Sequence, residues 1–317
     1  MLVNCSKNHL RKFIPVQVRT FATEEQLKKR MKSISNIKKI TSAMKMVASA
    51  RLRRSQQKLQ AARTFTTPIT EAYPEIDEEK VNDILSNLKD NDGQDRNTKA
   101  VIAAIACDRG LCGAMNSSIV RDIKKKFADG YQEIQKSGPT DIVLTTFGSK
   151  ALSGVERLFG SYLNFAVTDS GKSVDLNFKQ TSLLADHILE LQPDRLQIIA
   201  NYFRNMISFD TNTINYYPPN IALQVDSKAL EDYEIEGPDG EELDNFHSFR
   251  LACILWGHFA EADAVELSAR VSAMESSSKN AGEMLDKITL QYNQMRQSKI
   301  TTELIEIISG ATALEDA

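Results

Sequence analysis

The chain has 317 residues, of which 42% are hydrophobic, 7% aromatic and 26% charged, so it has enough apolar residues for one large domain or two. No stretch approaches the roughly 20 consecutive apolar residues that cross a bilayer, so we expect no direct insertion into a membrane. The net charge is −3, but residues 1–64 carry sixteen Lys and Arg residues against two acids, so a part with charge +14 precedes a remainder with −17. A basic part of this size is expected to meet an acidic partner, whether nucleic acid, anionic lipid or an acidic protein surface.

The first 22 residues have the composition of a targeting segment. No acid occurs in residues 1–23, which contain four basic side chains and many hydroxyl and apolar ones. This pattern predicts a mitochondrial transit peptide over residues 1–22; the alternative is a basic disordered tail.

A long amphipathic helix is predicted over residues 23–67. Thr23 and Gln26 form a capping-box pattern that marks its start, and no Gly or Pro follows before Pro68. Its expected length is roughly 65 Å at about 1.5 Å per residue. The apolar stripe is expected at spacings of three and four, on Leu27, Met31, Ile34, Ile37, Ile40, Met44, Val47 and Leu52.

The middle of the chain predicts an α/β domain over residues 99–225. Apolar strand-like runs alternate with helical ones, which indicates a mostly parallel, Rossmann-like sheet with covering helices. Acidic, polar stretches at 68–98 and 226–244 are expected to be linkers. The expected strands are 99–107, 142–147, 162–167, 195–203 and 213–225, the last with a Pro pair that favours a sheet edge or a break, and the expected helices are 116–136 and 175–191.

The C-terminal residues 245–317 predict a second, longer helix. No proline follows Pro238, the isolated Gly257 and Gly282 cost only about 1 kcal/mol each, and Gly310 is placed like a helix stop. The alternative is two or three helices broken at those glycines. The seam is expected on a heptad pattern of Leu267, Val271, Met274, Ser278, Ala281, Leu285, Ile288, Tyr292 and Met295.

The two helices are expected to pair as an antiparallel coiled coil. A helix of about 97 Å exceeds the roughly 50 Å diameter of a compact chain of this size, so it needs a partner along its seam. Small and sulfur-bearing side chains, such as Ala43, Met44, Ala281 and Met295, are expected to pack in this seam. The C-terminal helix is longer by roughly 30 Å, so one of its ends should extend alone.

No catalytic, cofactor or metal site is expected from the residue patterns. Gly110 and Gly113 follow a strand but lack the third glycine of a dinucleotide fingerprint, and the SGKS run at 170–173 lacks the first glycine of a P-loop. Cys107 and Cys112 form a lone C-x4-C pair, for which buried, inert thiols are the first reading and a redox role the second. The basic N-terminal helix lacks the aromatic residues of a nucleic-acid site, so we expect no nucleic acid as partner.

Three segments carry a resemblance to a known family. Residues 33–56, with NIKKITSAMKMVASARLRRSQ, resemble the N-terminal helix of the γ subunit of rotary ATP synthases. Residues 107–116, CDRGLCGAMN, are similar to the central turn of that family, and residues 268–311 resemble its C-terminal signature. The matches lie in the right order, and the transit-like start favours the mitochondrial form over the chloroplast one.

The resemblance implies a role that the patterns alone do not give. The coiled coil would rotate inside the hexamer of catalytic α and β subunits, and the middle domain would sit on the c-ring with the small delta and epsilon subunits. The chain would then be a non-catalytic part of a hetero-oligomer on the matrix side of the inner mitochondrial membrane, coupling proton-driven rotation to ATP synthesis. The alternatives are a coiled-coil tether with a vestigial nucleotide fold and a stand-alone dinucleotide enzyme.

The resemblance also implies two contact regions. Residues matching the zone that faces the acidic lever loops of β are Met44, Lys45, Arg296 and Gln297. Seam packing for Met44 and a solvated charge for Lys45 remain the simpler alternative. The end expected to turn in an apolar sleeve of the hexamer carries Leu304, Ile305, Ile307 and Ile308.

Overall fold

A computed structural model of the chain describes residues 23–71, 78–87, 97–128, 140–169, 177–218, 221–222 and 241–315. The transit peptide predicted for residues 1–22 and the SGKS run at 170–173 lie outside the described residues. The chain divides into two compact units: residues 39–278 form one, and the described parts of 1–38 and 279–317 form the other.

The first helix, α1, runs from Glu24 to Glu71. It begins at the expected capping box, in which the Thr23 amide donates to the Gln26 side chain at 3.2 Å and the Gln26 amide donates to the Thr23 hydroxyl at 3.4 Å. The expected end before Pro68 is wrong, because the helix continues through this residue. Pro68 lies in the last turn, where it removes only one helical hydrogen bond.

The stretch expected to be the first linker contains a short helix, α2, from Glu78 to Ser86. Its acidic composition masks two apolar residues one turn apart, Val81 and Leu85, which are buried against Tyr217 and Ile221. The segment is therefore partly folded onto the middle domain, in contrast to a solvated linker.

The middle of the chain forms a five-stranded sheet in the order β3-β2-β1-β4-β5. The first four strands are parallel and the edge strand β5 pairs antiparallel with β4, which confirms the mostly parallel Rossmann-like reading. The elements are β1 Thr98–Ile105, α3 Met115–Ala128, β2 Thr140–Phe147, α4 Ser149–Phe159, a 3-10 turn Gly160–Tyr162, β3 Leu163–Val167, α5 Phe178–Leu189, β4 Arg195–Phe203 and β5 Phe209–Tyr216.

The last strand differs from the expected one. β5 begins four residues before Thr213 and ends at Tyr216, ahead of the Pro pair. The hairpin that precedes it is closed by Asn205, whose side-chain oxygen accepts from the amides of Ile207 and Ser208 at 2.9 and 2.8 Å. A short Asn-closed turn of this kind leaves a weak sequence signal, which is why the strand start was misplaced.

The last helix, α6, runs unbroken from Glu241 to Glu315, over 75 residues. It passes through Gly257, Gly282 and Gly310, so the broken-helix alternative and the predicted stop at Gly310 are both wrong. A glycine stop needs a positive φ, which the described chain gives only to Gly113 and Gly148 among its glycines. Among the described residues, no helix combines the length and apolarity needed to cross a bilayer.

The sheet lies between two cores. Residues of β1 alternate between them: Val101, Ala103 and Ile105 join the core that contains residues of α1, α5 and α6, and the intervening residues join the core under α3 and α4. The first core fixes helix residues such as Leu59 and Leu255 directly on the sheet. The terminal helices are therefore part of the domain core within residues 39–278.

The two long helices pack antiparallel in each unit. Within residues 39–278, Lys45 contacts Glu275 at 2.7 Å and Ser55 donates to Asp263 at 2.5 Å, so partners of α1 lie progressively earlier in α6. Within the other unit, Tyr292 donates to Glu24 at 3.2 Å. These contacts confirm the antiparallel pairing of the chain ends.

The seam on α6 is as expected, but that on α1 is not. Every predicted α6 seam residue is buried or half-buried. On α1, Ile40 and Val47 are 58% and 56% exposed, whereas the adjacent Thr41 and Ala48 are buried. Ala43, expected in the seam, is also exposed. The observed register advances by fours and threes through Leu27, Met31, Ile34, Lys38, Thr41, Lys45, Ala48 and Leu52, all of them buried or half-buried except the exposed Lys38, so it leaves Ile40 and Val47 outside.

Gly148 offers a test of the sheet packing. It has a φ of 97°, and a Cβ at this residue would lie 2.8 Å from the carbonyl of Ala106. Gly148→Ala is expected to lower the free energy of unfolding by at least about 2 kcal/mol, because backbone strain and the clash act together. The measurement is denaturant unfolding followed by circular dichroism.

Gly160→Ala is the matched control, since a Cβ there meets nothing within 4 Å and the φ of −59° suits any residue. It should change the free energy of unfolding by no more than about 1 kcal/mol. Equal effects of the two substitutions would contradict the described packing.

Candidate functional site

Met44 and Lys45 lie on α1 in the unit of residues 39–278, and both are half-buried. Met44 lines a groove of about 440 Å³ together with Val47, Arg51 and Arg109. Lys45 contacts Glu275 of α6 at 2.7 Å, with side chains that are 40% and 62% exposed. Lys45 therefore occupies a seam position with its stem while its ammonium group reaches the surface.

Arg296 and Gln297 lie on α6 in the other compact unit, and both are exposed. The nearby Met295 lines a shallow depression with Thr23, Glu24 and Lys28 of α1. Lys299 lies 3.6 Å from Glu24. The start of α1 is thus held on α6 next to the two exposed polar residues.

The final turns of α6 present large apolar side chains to solvent. Their exposed fractions range from 55% to 70% for Leu304, Ile305, Ile307 and Ile308. Large exposed apolar groups at this density are typical of a surface that meets a partner.

The sequence analysis missed the contact that ties α1, α6 and the sheet together. The guanidinium of Arg63 donates to both carboxylate oxygens of Glu261, at 2.6 and 3.0 Å, and to the carbonyl of Phe203 at 2.8 Å. The Glu261 carboxylate also accepts from the Phe203 amide at 2.9 Å. The ring of Tyr202 lies 4.7 Å from the guanidinium carbon. The hydrogen bond to Glu261 raises the pKa of Arg63.

The turn after β1 is held on α6 by the side chain of Arg270. Arg270 donates to Glu266 one turn away at 2.7 Å and to the carbonyl of Gly110 at 3.2 Å. Leu111 and Gly113 have positive φ values of 64° and 61°. The turn with the incomplete glycine fingerprint is therefore packed against a helix, with its backbone engaged.

Among the described residues, no cluster of three His, Cys, Asp or Glu side chains is placed to hold a metal. Burial, followed by the charge of Arg250, lowers the pKa of His247 to about 4, so its imidazole is neutral at pH 7. His187 lies at the surface next to Glu190, at 2.9 Å.

The seam register shows where Arg63 lies on α1 but does not identify its partner. Extending the strict alternation of fours and threes beyond Leu52 gives Ser55, Leu59, Ala62 and Thr66, all of which are buried. Arg63 flanks this register on the side of the sheet. Its partner Glu261 follows the largely apolar run of residues 251–260, which is the remaining sequence signal.

Comparisons with known proteins agree with this architecture. A family model described as ATP synthase matches residues 23–314. The mitochondrial ATP synthase subunit gamma of Arabidopsis thaliana is 37% identical over 309 residues, which cover 95% of this chain and 88% of the relative. The mitochondrial F(1) complex subunit gamma of Rattus norvegicus is 32% identical over 93% of this chain and all of its own length.

Solved structures give the same fold. A chain in the OSCP/F1/c-ring structure of Euglena gracilis mitochondrial ATP synthase superposes with a TM-score of 0.72 at 19% identity, over 92% of this chain and 94% of its own. A chain of the Tetrahymena thermophila central stalk and c-ring structure superposes with a TM-score of 0.57 at 26% identity, over 75% and 99% of the two chains.

The ion pair of Arg63 and Glu261 predicts a large stability effect. Glu261→Ala should lower the free energy of unfolding by about 3 kcal/mol, because it removes the counter-charge of Arg63 and leaves the Phe203 amide without an acceptor. Denaturant unfolding measures the change. Adding Arg63→Met to Glu261→Ala should recover part of the loss, since the unpaired charge is removed.

Glu275→Ala serves as the control, because the pair with Lys45 is exposed and should contribute less than about 1 kcal/mol. A loss for Glu275→Ala as large as that for Glu261→Ala would show that burial does not distinguish the two pairs.

Proposed function

The chain belongs to the mitochondrial-type γ-subunit family of ATP synthases, and we propose that it serves as the central shaft of that complex. In this role it couples proton-driven rotation of the membrane c-ring to ATP synthesis in the hexamer of α and β subunits. It works on the matrix side of the inner mitochondrial membrane as a peripheral, hetero-oligomeric component. The delta and epsilon subunits of the stalk complete the set of proposed partners.

One observation carries the proposal: both long helices share a core with the α/β sheet. In residues 39–278, Leu59 of α1 and Leu255 of α6 pack in the same cluster as Val101 and Ile198 of the sheet. A torque applied to the sheet therefore reaches both helices through close-packed side chains, which transmit strain well. A tether would need no such shared core.

We propose that the subunit itself makes and breaks no bond. An asymmetric shaft presents a different face to each of three otherwise alike catalytic subunits, and each face favours a different conformation of its neighbour. Turning the shaft changes which conformation each site prefers, which is a coupling free energy between the base of the stalk and the nucleotide sites.

We propose the lever loops of β as the partner of the exposed groups on both helices. The register of α1 leaves Ile40 and Val47 at the surface beside Met44, and it lets the Lys45 ammonium group reach solvent. These groups would offer apolar contact and positive charge to an acidic loop. Arg296 and Gln297, both exposed on α6, would contribute a second such contact.

We propose an apolar sleeve of the hexamer as the partner of the end of α6. Non-directional apolar contact suits a rotating end, because it does not depend on fixed hydrogen-bond partners that turning would break. The exposed side chains that support this assignment are Leu304, Ile305, Ile307 and Ile308.

Assembly tests the shaft against its alternatives. The full chain, co-expressed with the α and β subunits, is expected to co-purify in a stoichiometric complex that hydrolyses ATP. Failure to co-purify would contradict the shaft and favour a tether. Tight binding of a labelled nucleotide by the isolated chain would favour a dinucleotide enzyme.

Lys45 allows a sharper test of the contact with β. Lys45→Glu is expected to lower ATP synthesis by the reconstituted complex at least about fivefold, which corresponds to loss of roughly 1 kcal/mol of charge interaction. Co-purification with the hexamer should persist, because the rest of the shaft is unchanged.

A charge swap distinguishes contact of Lys45 with β from its ion pair with Glu275 within the chain. Glu275→Lys added to Lys45→Glu restores the pair between α1 and α6 with opposite polarity. If synthesis stays low, Lys45 acts through an external partner, as proposed. If synthesis returns to the wild-type rate, Lys45 only stabilises the seam.

A further inference from the structure

Two thiols lie in contact where β1 ends. The Sγ atoms of Cys107 and Cys112 are 3.7 Å apart, and the two residues are only 7% and 2% exposed. The positive φ values of Leu111 and Gly113 turn the chain back on either side of Cys112. This backbone conformation brings the second sulfur onto the first.

The side-chain amide of Asn116 positions both sulfurs. Its nitrogen donates to Cys112 Sγ at 3.2 Å, while its oxygen accepts from the Cys107 amide at 3.1 Å and from the Cys107 thiol at 3.2 Å. The thiol–thiol hydrogen bond lowers the pKa of Cys112 and raises that of Cys107. The positive charge of Arg270 also lowers the pKa of Cys112.

A cavity gives a small molecule access to the pair. Its volume is about 390 Å³, and Cys107 and Asp108 lie on its wall together with the aromatic rings of Phe65, Trp256 and Phe259. Of the two cysteines, Cys107 is the one that lines the cavity. Hydrogen peroxide, which is not much larger than water, fits this space.

We propose that Cys107 and Cys112 form a reversible disulfide, oxidised by hydrogen peroxide and reduced by a dithiol. The Cys107 sulfur attacks one peroxide oxygen, the O–O bond breaks, and the thiol proton passes to the departing oxygen, which leaves as water. Cys112 then attacks the resulting sulfenic sulfur, its proton passing to the departing hydroxyl group as water. Two electrons pass from the sulfurs to the peroxide, and a dithiol returns them by thiol–disulfide exchange while becoming a disulfide itself.

The disulfide would alter a turn that touches α6. An S–S bond of about 2.05 Å requires the sulfurs to approach by well over 1 Å, which displaces Cys112 from the Asn116 amide. The same turn carries Gly110, whose carbonyl accepts from Arg270 of α6 at 3.2 Å. Oxidation would therefore change the contact between the sheet domain and the last helix.

The test uses the folded full-length chain treated with equimolar hydrogen peroxide at pH 7, quenched with iodoacetamide and digested with trypsin. Arg109 lies between the two cysteines, so trypsin separates them and only a disulfide keeps their peptides together. We expect a linked Cys107–Cys112 peptide pair that dithiothreitol separates.

Cys253 is the internal control, because burial raises the pKa of its thiol to about 11 and it is fully buried in the core. The pair is expected to lose its thiols at least about tenfold faster than Cys253, since Cys107 lines the cavity and has a second sulfur at 3.7 Å to capture its sulfenic acid. Equal rates, or a stable sulfenic acid on wild-type Cys107, would overturn the proposal.

Cys112→Ser supplies the variant control. It should leave a sulfenic acid on Cys107, detected as a dimedone adduct, with no linked peptide. If this variant fails to fold, the comparison with Cys253 in the wild-type chain decides the matter alone.

Discussion

The ion pair between Arg63 and the buried carboxylate of Glu261 fixes the position of the long helices on the apolar core that they share with the sheet. A carboxylate that is 4% exposed is costly to bury, and here its oxygens are met by a guanidinium and by the Phe203 amide. The same guanidinium satisfies the Phe203 carbonyl. One pair thus binds α1, α6 and β4 at a single point, with directional bonds that apolar packing alone would not give.

Away from that point, the helices are joined by a seam of small and long-stemmed side chains. Ala48 and Thr41 are buried, while Lys45 places only its stem in the seam. The Lys38 ammonium group lies close to Gly282, where an added Cβ would be 3.3 Å from it. The absence of a side chain at Gly282 therefore makes room for this lysine. The large residues Ile40 and Val47 are thereby left exposed.

The sequence predicted the fold because its strongest signals are periodic and long. The heptad pattern of α6, the alternation of strands and helices, and the capping box at Thr23 each depend on many residues or on a specific pair. The prediction is wrong on α1, where the size of apolar residues does not identify the buried positions. Ile40 and Val47 looked like seam positions by size, yet the strict register selects Thr41 and Ala48. The buried Arg63–Glu261 pair was missed because its partners are 198 residues apart, and no local pattern records such a pairing.

The turn after β1 shows why a nucleotide-like motif need not bind a nucleotide. In a dinucleotide fold the turn leaves its backbone open to a pyrophosphate at the start of the next helix. Here the Gly110 carbonyl accepts from Arg270, and a Cβ on Gly113 would approach the carbonyl of Ala269 to 3.9 Å. The place where a phosphate group would lie in a dinucleotide fold is thus next to α6. The glycine-containing turn serves contact with the last helix, which is the contact that a shaft fixed to an α/β domain requires.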